Sequence, residues 1–329
     1  WKREKMKPSD ILGLLRENKT GHLSGEEISK HLKVSRSAVW KEIQCLRKLG
    51  YEIEAQPHLG YRLVSVPDKM FADELVHGLR TKFIGRQIFS YEELDSTNDA
   101  AFRLGEQGIK EGACVFAEYQ KKGRGRLGRS WVSPKSKNII LSVLLRPVLL
   151  PQEVSKLTLA CAVSVIRTIR SVTGKTLGIK WPNDIYYQTK KVGGILTEMS
   201  AESDRINFIV VGIGINLNSN ASELPPGSSS LKALTGHDLN RLGFARSLLV
   251  ELEADYLRLK GGEFDGLAKD WEEFSLTSGQ RVVAKLFGQK IEGQAIGIDR
   301  EGALWVRQDN GLQQRIVAGD VEHLWTAKR

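Results

Sequence analysis

Cysteine is scarce in this sequence: Cys45, Cys114 and Cys161 are its three, and they lie far apart. An odd count with no C-x-x-C pair argues against a disulfide framework and against a zinc site, and it suits a reducing cytoplasm. The six histidines are scattered and form no H-E-x-x-H pattern, so no structural metal is expected. No apolar run reaches the roughly 18 residues that a bilayer span requires. The longest candidates, 139–150 and 206–217, are broken by Ser142, Arg146, Gly212 and Gly214 and read as buried strands. No membrane association and no signal peptide are expected, and Trp1 in place of methionine points to a chain that lacks its true start. There is no internal repeat.

What is present is an ordinary globular composition, 41% hydrophobic and 27% charged, over 329 residues. That length exceeds one ordinary core and implies two or three domains. The net charge of +10 is unevenly spread. Residues 1–70 hold 14 Lys/Arg against 9 Asp/Glu, a bias that suits nucleic acid. Residues 119–137 hold seven Lys/Arg and no acid, among glycines, which suits a small anionic ligand.

Residues 8–66 read as three helices and a hairpin. Ile11, Leu12, Leu14 and Leu15 supply one apolar face. Ser24-Gly25-Glu26-Glu27 is a capping box that opens the second helix, continued by Ile28 and Leu32. Ser35 caps the third, whose Val39, Ile43 and Leu46 recur at helical spacing until Gly50. Two alternating strands then flank Gln56-Pro57-His58-Leu59-Gly60. This is the plan of a winged helix-turn-helix, which sends the start of its third helix into the major groove. Ser24, Ser35, Arg36, Ser37, Trp40, Lys41 and Gln44 are the expected DNA-facing residues. The plainer reading is a small helical interaction domain with a solvated basic face. Val66-Pro67-Asp68 is the expected linker, giving a first domain at 1–66.

Residues 67–275 alternate strand-like and helix-like segments, with helices at 71–79, 96–105, 153–172 and a final one at 244–259. They predict a mixed α+β domain with a substantial sheet. The stretch 219–230, rich in Ser, Asn, Pro and Gly, reads as a mobile loop. Residues 276–329 offer five short strands, at 280–287, 290–299, 303–308, 314–318 and 321–325, joined by turns at Phe287-Gly288-Gln289, 299–302 and Asp309-Asn310-Gly311. These suggest a small β-barrel.

Four motifs carry chemistry. Gly123-Arg124-Gly125-Arg126-Leu127-Gly128-Arg129 formally fits G-x-G-x-x-G, but a dinucleotide fingerprint must open a helix straight after its strand. Here the glycines lead into Trp131 and Pro134, so an extended loop is expected. Gly174-Lys175-Thr176 fails as a P-loop because Ile169 stands where its first glycine belongs. The 123–129 loop joins glycine-freed amides to three guanidinium groups, whose forked donors match phosphate. Taken alone it could equally be a second nucleic-acid contact. The others are Lys180-Trp181-Pro182-Asn183-Asp184, Lys191-Val192-Gly193-Gly194-Ile195-Leu196 and Gly212-Ile213-Gly214-Ile215-Asn216, whose lone strand glycines suggest bulges.

With Ser96-Thr97-Asn98 and Gln120, these motifs closely resemble biotin–protein ligases, in order and over the whole chain. The winged helix resembles that of the bacterial type that also represses the biotin operon. The resemblance implies a class II synthetase-like sheet with helices in the centre and an SH3-like barrel at the C-terminus. It implies ATP, Mg2+ and biotin as reactants, with biotinyl-5′-AMP as intermediate and corepressor. A biotin carboxyl carrier protein of acetyl-CoA carboxylase or a related carboxylase would accept the biotin. Operator DNA and a ligand-promoted homodimer would be the other partners. Residue by residue, it implies Ser96, Thr97, Asn98 and Gln120 at the biotin end. Arg124, Gly125 and Arg126 would form the loop over biotin and phosphate, and Lys191 would face the carboxylate and α-phosphate. Gly123, Trp131, Gly194, Gly214 and Asn216 would complete the biotin/adenylate site. Lys191, Arg124 and Arg126 are the expected catalytic groups; the role of Asp184 stays open. Three rivals remain: a lipoate or octanoate ligase, a non-catalytic biotin-sensing repressor, and a nucleic-acid-binding protein that uses both basic regions.

Overall fold

The computed structural model describes residues 8–18, 21–202, 205–286, 289–317 and 319–324. Trp1, the Phe287-Gly288 turn and the expected strand ends at Ala318 and Trp325 lie outside the described residues. The chain divides into two compact units, Trp1–Lys69 and Met70–Arg329.

In the first unit, α1 (Pro8–Glu17) buries Ile11, Leu12 and Leu15. The Ser24 capping box forms as expected: Glu27 N donates to Ser24 Oγ at 3.1 Å and Ser24 N to Glu27 Oε2 at 2.8 Å. It opens α2 (Gly25–Leu32), and Ser35 caps α3 (Arg36–Lys48) through Ala38 N. Gly50, at φ 103°, lets the chain close a Schellman turn, with Gly50 N on Arg47 O and Tyr51 N on Leu46 O. The wing is the antiparallel pair β1 (Glu52–Gln56) and β2 (Gly60–Ser65). Leu23 and Tyr61 exchange two 2.9 Å backbone hydrogen bonds, which tie the wing to the segment before α2. A side chain at Gly60 would lie 2.2 Å from Leu23 O, so this approach needs glycine.

The second unit is built on a seven-stranded sheet. After α4 (Ala72–Val76) come β3 (Ile88–Tyr91), α5 (Thr97–Glu106), β4 (Cys114–Ala117) and β5 (Ile139–Leu145). Then follow α6 (Val154–Thr173), β6 (Gly178–Lys180), β7 (Asp184–Tyr187), β8 (Lys190–Glu202) and β9 (Arg205–Ile215). The strand order is β3-β4-β5-β9-β8-β7-β6, with only the β3–β4 pair parallel. Period two sorts the faces. Ile139, Leu141, Val143 and Leu145 of β5, with Ile209, Val211, Ile213 and Ile215 of β9, share one core with α6 and with α8 (Arg241–Lys260). The opposite face packs α5 over Val115, Leu144, Phe208 and Val210. Beyond α5 that face carries Ser142, Gly212 and Gly214 and is left open for a site.

Several helical details differ from expectation. The segment at 71–79 shortens to α4. The helix α8 starts at Arg241, three residues early, because Asn240 Oδ1 accepts from Gly243 N at 2.7 Å. It is not the last helix: α9 (Phe264–Glu273) follows and buries Phe264, Leu267 and Trp271. Arg167 of α6 and Arg258 of α8 both grip Asp255 and Asp270, joining the three helices. A short α7 (Leu231–Thr235) was also not anticipated. The 219–230 stretch, expected to be mobile, is tethered: Ser219 Oγ bonds Asn138, Ser230 Oγ bonds Ser219 O, and Lys191 N bonds Gly227 O.

The C-terminal strands are β10 (Arg281–Leu286), β11 (Gln289–Ile298), β12 (Leu304–Arg307), β13 (Gln313–Ile316) and β14 (Asp320–His323). They form one antiparallel sheet in the order β13-β12-β11-β10-β14. Among the described residues no ladder joins the two outer strands, so the expected barrel is seen as a five-stranded sheet. Its Val282, Ala284, Leu304 and Val321 belong to the same core as the seven-stranded sheet. No helix among the described residues is long and apolar enough to cross a membrane.

Candidate functional site

The open face of the large sheet is the floor of a cleft. Ile140, Leu196, Gly212 and Gly214 line it, with the 124–131 loop on one side and the 180–184 turn on another. Gly212 and Gly214 are not the bulges that the sequence suggested; β9 keeps register with β5 and β8 through them. They answer to close approach. A side chain at Gly212 would lie 2.2 Å from Asn98 Oδ1, and one at Gly214 would lie 2.4 Å from the Trp131 ring.

One end of the cleft is polar and neutral. Ser96 caps α5, which presents Thr97 and Asn98 from its first turn. Gln120 Oε1 accepts from Thr97 N at 2.7 Å and from Thr97 Oγ1 at 2.9 Å. The Gln120 carbonyl is thereby engaged, which leaves its amide donor for a ligand.

The other end is cationic. The arginine loop leaves the sheet after Gln120 and returns through an Arg124–Ser130 bridge, with Leu127 at φ 55° at its tip. Arg124 pairs with Asp99 at 2.7 Å and Glu198 at 2.9 Å. Burial acts to lower its pKa, but these two carboxylates outweigh it and hold the guanidinium above its ordinary value. Arg126 donates to Asn183 Oδ1 at 3.1 Å and to Gly319 O at 3.0 Å. Burial pulls Arg126 below the usual arginine range, with Asp184 and Asp320 partly offsetting it. Arg129 pairs with Asp320 of β14. Lys191, opposite, reaches Asp184 at 2.6 Å and lies over the Trp131 ring at 5.7 Å. Gly194 leaves room for the lysine chain: a side chain there would lie 3.3 Å from Lys191 Nζ. Arg126 and Lys191 thus hold adjacent residues, Asn183 and Asp184, and face one space. Trp181 is buried instead and donates to Gly302 O at 3.1 Å, anchoring that turn to the C-terminal sheet; the Trp181–Pro182 peptide is cis.

Thirteen expected biotin/adenylate residues therefore divide in two. Ser96, Thr97, Asn98, Gln120, Arg124, Gly125, Arg126, Trp131, Lys191, Gly194 and Gly214 line one cleft. Gly123 and Asn216 stand behind it. Gly123 backs onto Trp131 O, and Asn216 holds the 219–230 segment through Ser229 O at 3.1 Å. Two buried polar atoms among the described residues of this region find no partner, Trp131 Nε1 and Asn216 Oδ1. Of these, the indole N–H belongs to a residue of the cleft and suits a polar ligand atom. Sequence reasoning missed Asp99, Ser142, Glu198 and Asp320. Glu198 was accessible by alternation, since Gly194, Leu196 and Glu198 share a face of β8.

In the first unit, Ser35, Arg36, Ser37, Trp40 and Lys41 are exposed along the start of α3, with Gln44 half-buried. Arg36 and Lys41 have no ion pair among the described residues. Ser24 is engaged as the cap of α2.

Comparison with known proteins agrees with this geometry. A model of the biotin/lipoate A/B protein ligase family matches residues 91–216, an HTH domain matches 8–62, and a biotin protein ligase C-terminal domain matches 277–324. The chain is 36% identical over 317 residues to the bifunctional ligase/repressor BirA of Bacillus subtilis (strain 168), covering 95% of this chain and 97% of that one. It is 32% identical over 305 residues to the protein of the same name from Escherichia coli (strain K12), covering 91% and 92%. Among solved structures it is similar to the biotin protein ligase from Aquifex aeolicus in complex with biotin and ATP. That match has a TM-score of 0.63 at 30% identity and covers 73% of this chain and 100% of that one.

Proposed function

Since the chain belongs to the biotin–protein ligase family, in its bifunctional ligase/repressor branch, we propose that it makes biotinyl-5′-AMP and transfers the biotin to a lysine of a carboxylase carrier protein. In the first step the biotin carboxylate attacks the α-phosphate of ATP, a new P–O bond forms and pyrophosphate leaves. In the second the acceptor ε-amine attacks the acyl carbonyl and AMP leaves. Neither step needs a covalent enzyme intermediate. The work of the protein is positioning and stabilisation of charge on phosphate oxygens.

One observation carries this reading: Arg126 and Lys191 hold adjacent residues and line the same cleft as the neutral Thr97–Gln120 end. The neutral end suits the cyclic urea, and the cationic end suits the mixed anhydride. Lys191 is the main electrophilic stabiliser, with Asp184 orienting its ammonium group. Arg124 and Arg126 belong to the cover that keeps water from the acyl-adenylate. Gly123 supports that cover from behind, and Asn216 holds the 219–230 segment.

Magnesium is assigned to the phosphates of ATP. No group of three or more His, Cys, Asp or Glu among the described residues is placed to hold an ion, and Asp184 and Asp320 already pair with Lys191 and Arg129. A phosphate-borne ion needs at most one or two protein carboxylates.

The proposed division is a DNA-binding domain at 1–66, a catalytic domain at 67–275 and a C-terminal domain at 276–329. The exposed Arg36 and Lys41, which make no ion pair among the described residues, support operator binding by α3. Biotinyl-AMP would favour a homodimer that sets two such helices on the half-sites of an operator. Equal sedimentation with and without biotin and ATP would count against that step. The ligase reading is tested by mass spectrometry of a carrier-protein fragment incubated with the chain, biotin and Mg-ATP. One biotinyl group on one lysine is expected; an unmodified fragment would refute it.

A further inference from the structure

Arg126 is held at two points that belong to different parts of the fold. Its Nη1 donates to Asn183 Oδ1, in the turn between β6 and β7, and its Nη2 donates to Gly319 O, at the entry to β14. The separation of those two acceptors decides whether one guanidinium group can reach both. Behind the cleft the turn and β14 meet again at the Thr277 hydroxyl. Trp181 N donates to Thr277 Oγ1 at 2.9 Å, and Thr277 Oγ1 stands 3.1 Å from Nε2 of His323, on β14.

Thr277 comes from the short segment after α9, which runs beside β6. Ile179 N donates to Phe274 O at 2.8 Å, and Leu276 N donates to Ile179 O at 2.9 Å. At Trp181 the acceptor becomes the Thr277 hydroxyl instead of a backbone carbonyl. Thr277 is fully buried, Trp181 is 2% exposed and His323 8%, so water does not replace a lost partner here. A hydroxyl has one hydrogen and two lone pairs. Thr277 uses one lone pair for Trp181 N; the other and its hydrogen remain for the His323 ring, which burial keeps uncharged at neutral pH. Whichever of the two supplies the shared hydrogen, the connection stands. The bonds close a circuit: Arg126, the 180–184 turn, Thr277, β14, and back to Arg126 through Gly319.

We propose that Thr277 is a positioning residue for adenylate formation: its hydroxyl fixes the 180–184 turn against β14, so that Asn183 and Gly319 both stay within reach of Arg126 and the arginine loop stays shut. Thr277 does not line the cleft and acts only through these neighbours. The neutral end of the cleft, built on α5 and Gln120, lies outside the circuit. This inference rests on the ligase reading given above.

The test compares Thr277→Val, which has nearly the same shape without the hydroxyl, with Thr277→Ser, which keeps it. In the full chain, biotin-dependent ATP–pyrophosphate exchange by the valine variant should fall about ten- to a hundredfold in kcat, the range for a small misplacement of a catalytic group. Its KM for biotin should stay native, because the neutral end is untouched. It should also release biotinyl-AMP that the native protein retains, read by chromatography. The serine variant should restore both rate and retention. A merely structural role would lower the urea midpoint of the valine variant yet leave kcat and retention native in the folded protein. Should the valine variant fail to fold, His323→Leu breaks the circuit from the β14 side and is read in the same way, against His323→Gln, whose amide can still pair with Thr277. A folded variant without the connection that exchanges at the native rate and retains adenylate overturns the proposal, as does a serine variant no better than valine. A native protein with no biotin-dependent exchange would instead overturn the ligase reading.

Discussion

Replacing Arg126 by glycine should open the arginine loop and release the activated acid. The side chain makes two hydrogen bonds, to Asn183 Oδ1 and Gly319 O, which pin the loop to the 180–184 turn and to the segment entering β14. A hydrogen bond involving a charged group contributes about 1.5–3 kcal/mol. Glycine would add a backbone penalty of roughly 0.5–1 kcal/mol. The loop lies at the rim of the cleft, so the core of the large sheet survives. The chemical step loses a preorganised donor, at about 2–4 kcal/mol. At 1.36 kcal/mol per decade this is roughly a 30- to 1000-fold slower ATP–pyrophosphate exchange. The assay follows exchange together with free biotinyl-AMP by chromatography. The variant should exchange slowly yet release adenylate that the native protein retains, while its circular dichroism shows that it stays folded. Native-rate exchange with the adenylate retained would refute the reasoning.

Other consequences are as direct. Gly214→Ala places a methyl group 2.4 Å from the Trp131 ring; the displaced ring should weaken adenylate binding in calorimetry at a stability cost of about 1–3 kcal/mol, and unchanged affinity would contradict the packing. Arg241→Met leaves the Glu118 carboxylate, held at 2.8 Å in the core, without its cation. Urea melts should show a loss of about 3–5 kcal/mol, and a loss under 1 kcal/mol would contradict the ion pair's role. Burial, with Lys180 adding to it, pushes His323 down to about 4 from the usual 6.5. The unfolded chain therefore binds the extra proton first as pH falls. Stability should be complete above about pH 6.5 and decline toward pH 4, by up to about 3 kcal/mol, and His323→Gln should flatten that slope in melts at stepped pH. Lys41→Ala should reduce the slope of log affinity for operator DNA against log salt by about 1, without changing sequence preference; an unchanged slope would remove Lys41 from the DNA face.

Much of this was legible because the signals were local. Ser24 with Glu27, Ser35 and Gly50 each act within one helical turn, so the winged helix could be read almost residue by residue. The apolar runs of β5 and β9 similarly foretold buried strands. What escaped was non-local. Gly212 and Gly214 look like bulges until Asn98 and Trp131 arrive from more than eighty residues away. Asp320 enters the cleft from the last strand, and Glu198 gains its meaning only beside Asn98 and Arg124. The helix α9 was lost for a different reason: it follows Gly261-Gly262, and Glu263 gives it no side-chain cap. The 219–230 segment has the composition of a free loop, but its serines and Asn220 bond one another and their neighbours, which composition cannot reveal.

The central claim is that the arginine loop and Lys191 act on one phosphate. A crystal structure of the full chain with a non-hydrolysable biotinyl-adenylate analogue addresses it directly. Arg126 and the Lys191 ammonium should both lie within hydrogen-bond distance of the linking phosphate group, with the cyclic urea against Thr97 and Gln120. An analogue bound with its phosphate remote from either cation, or its ring at the opposite end of the cleft, would contradict the claim.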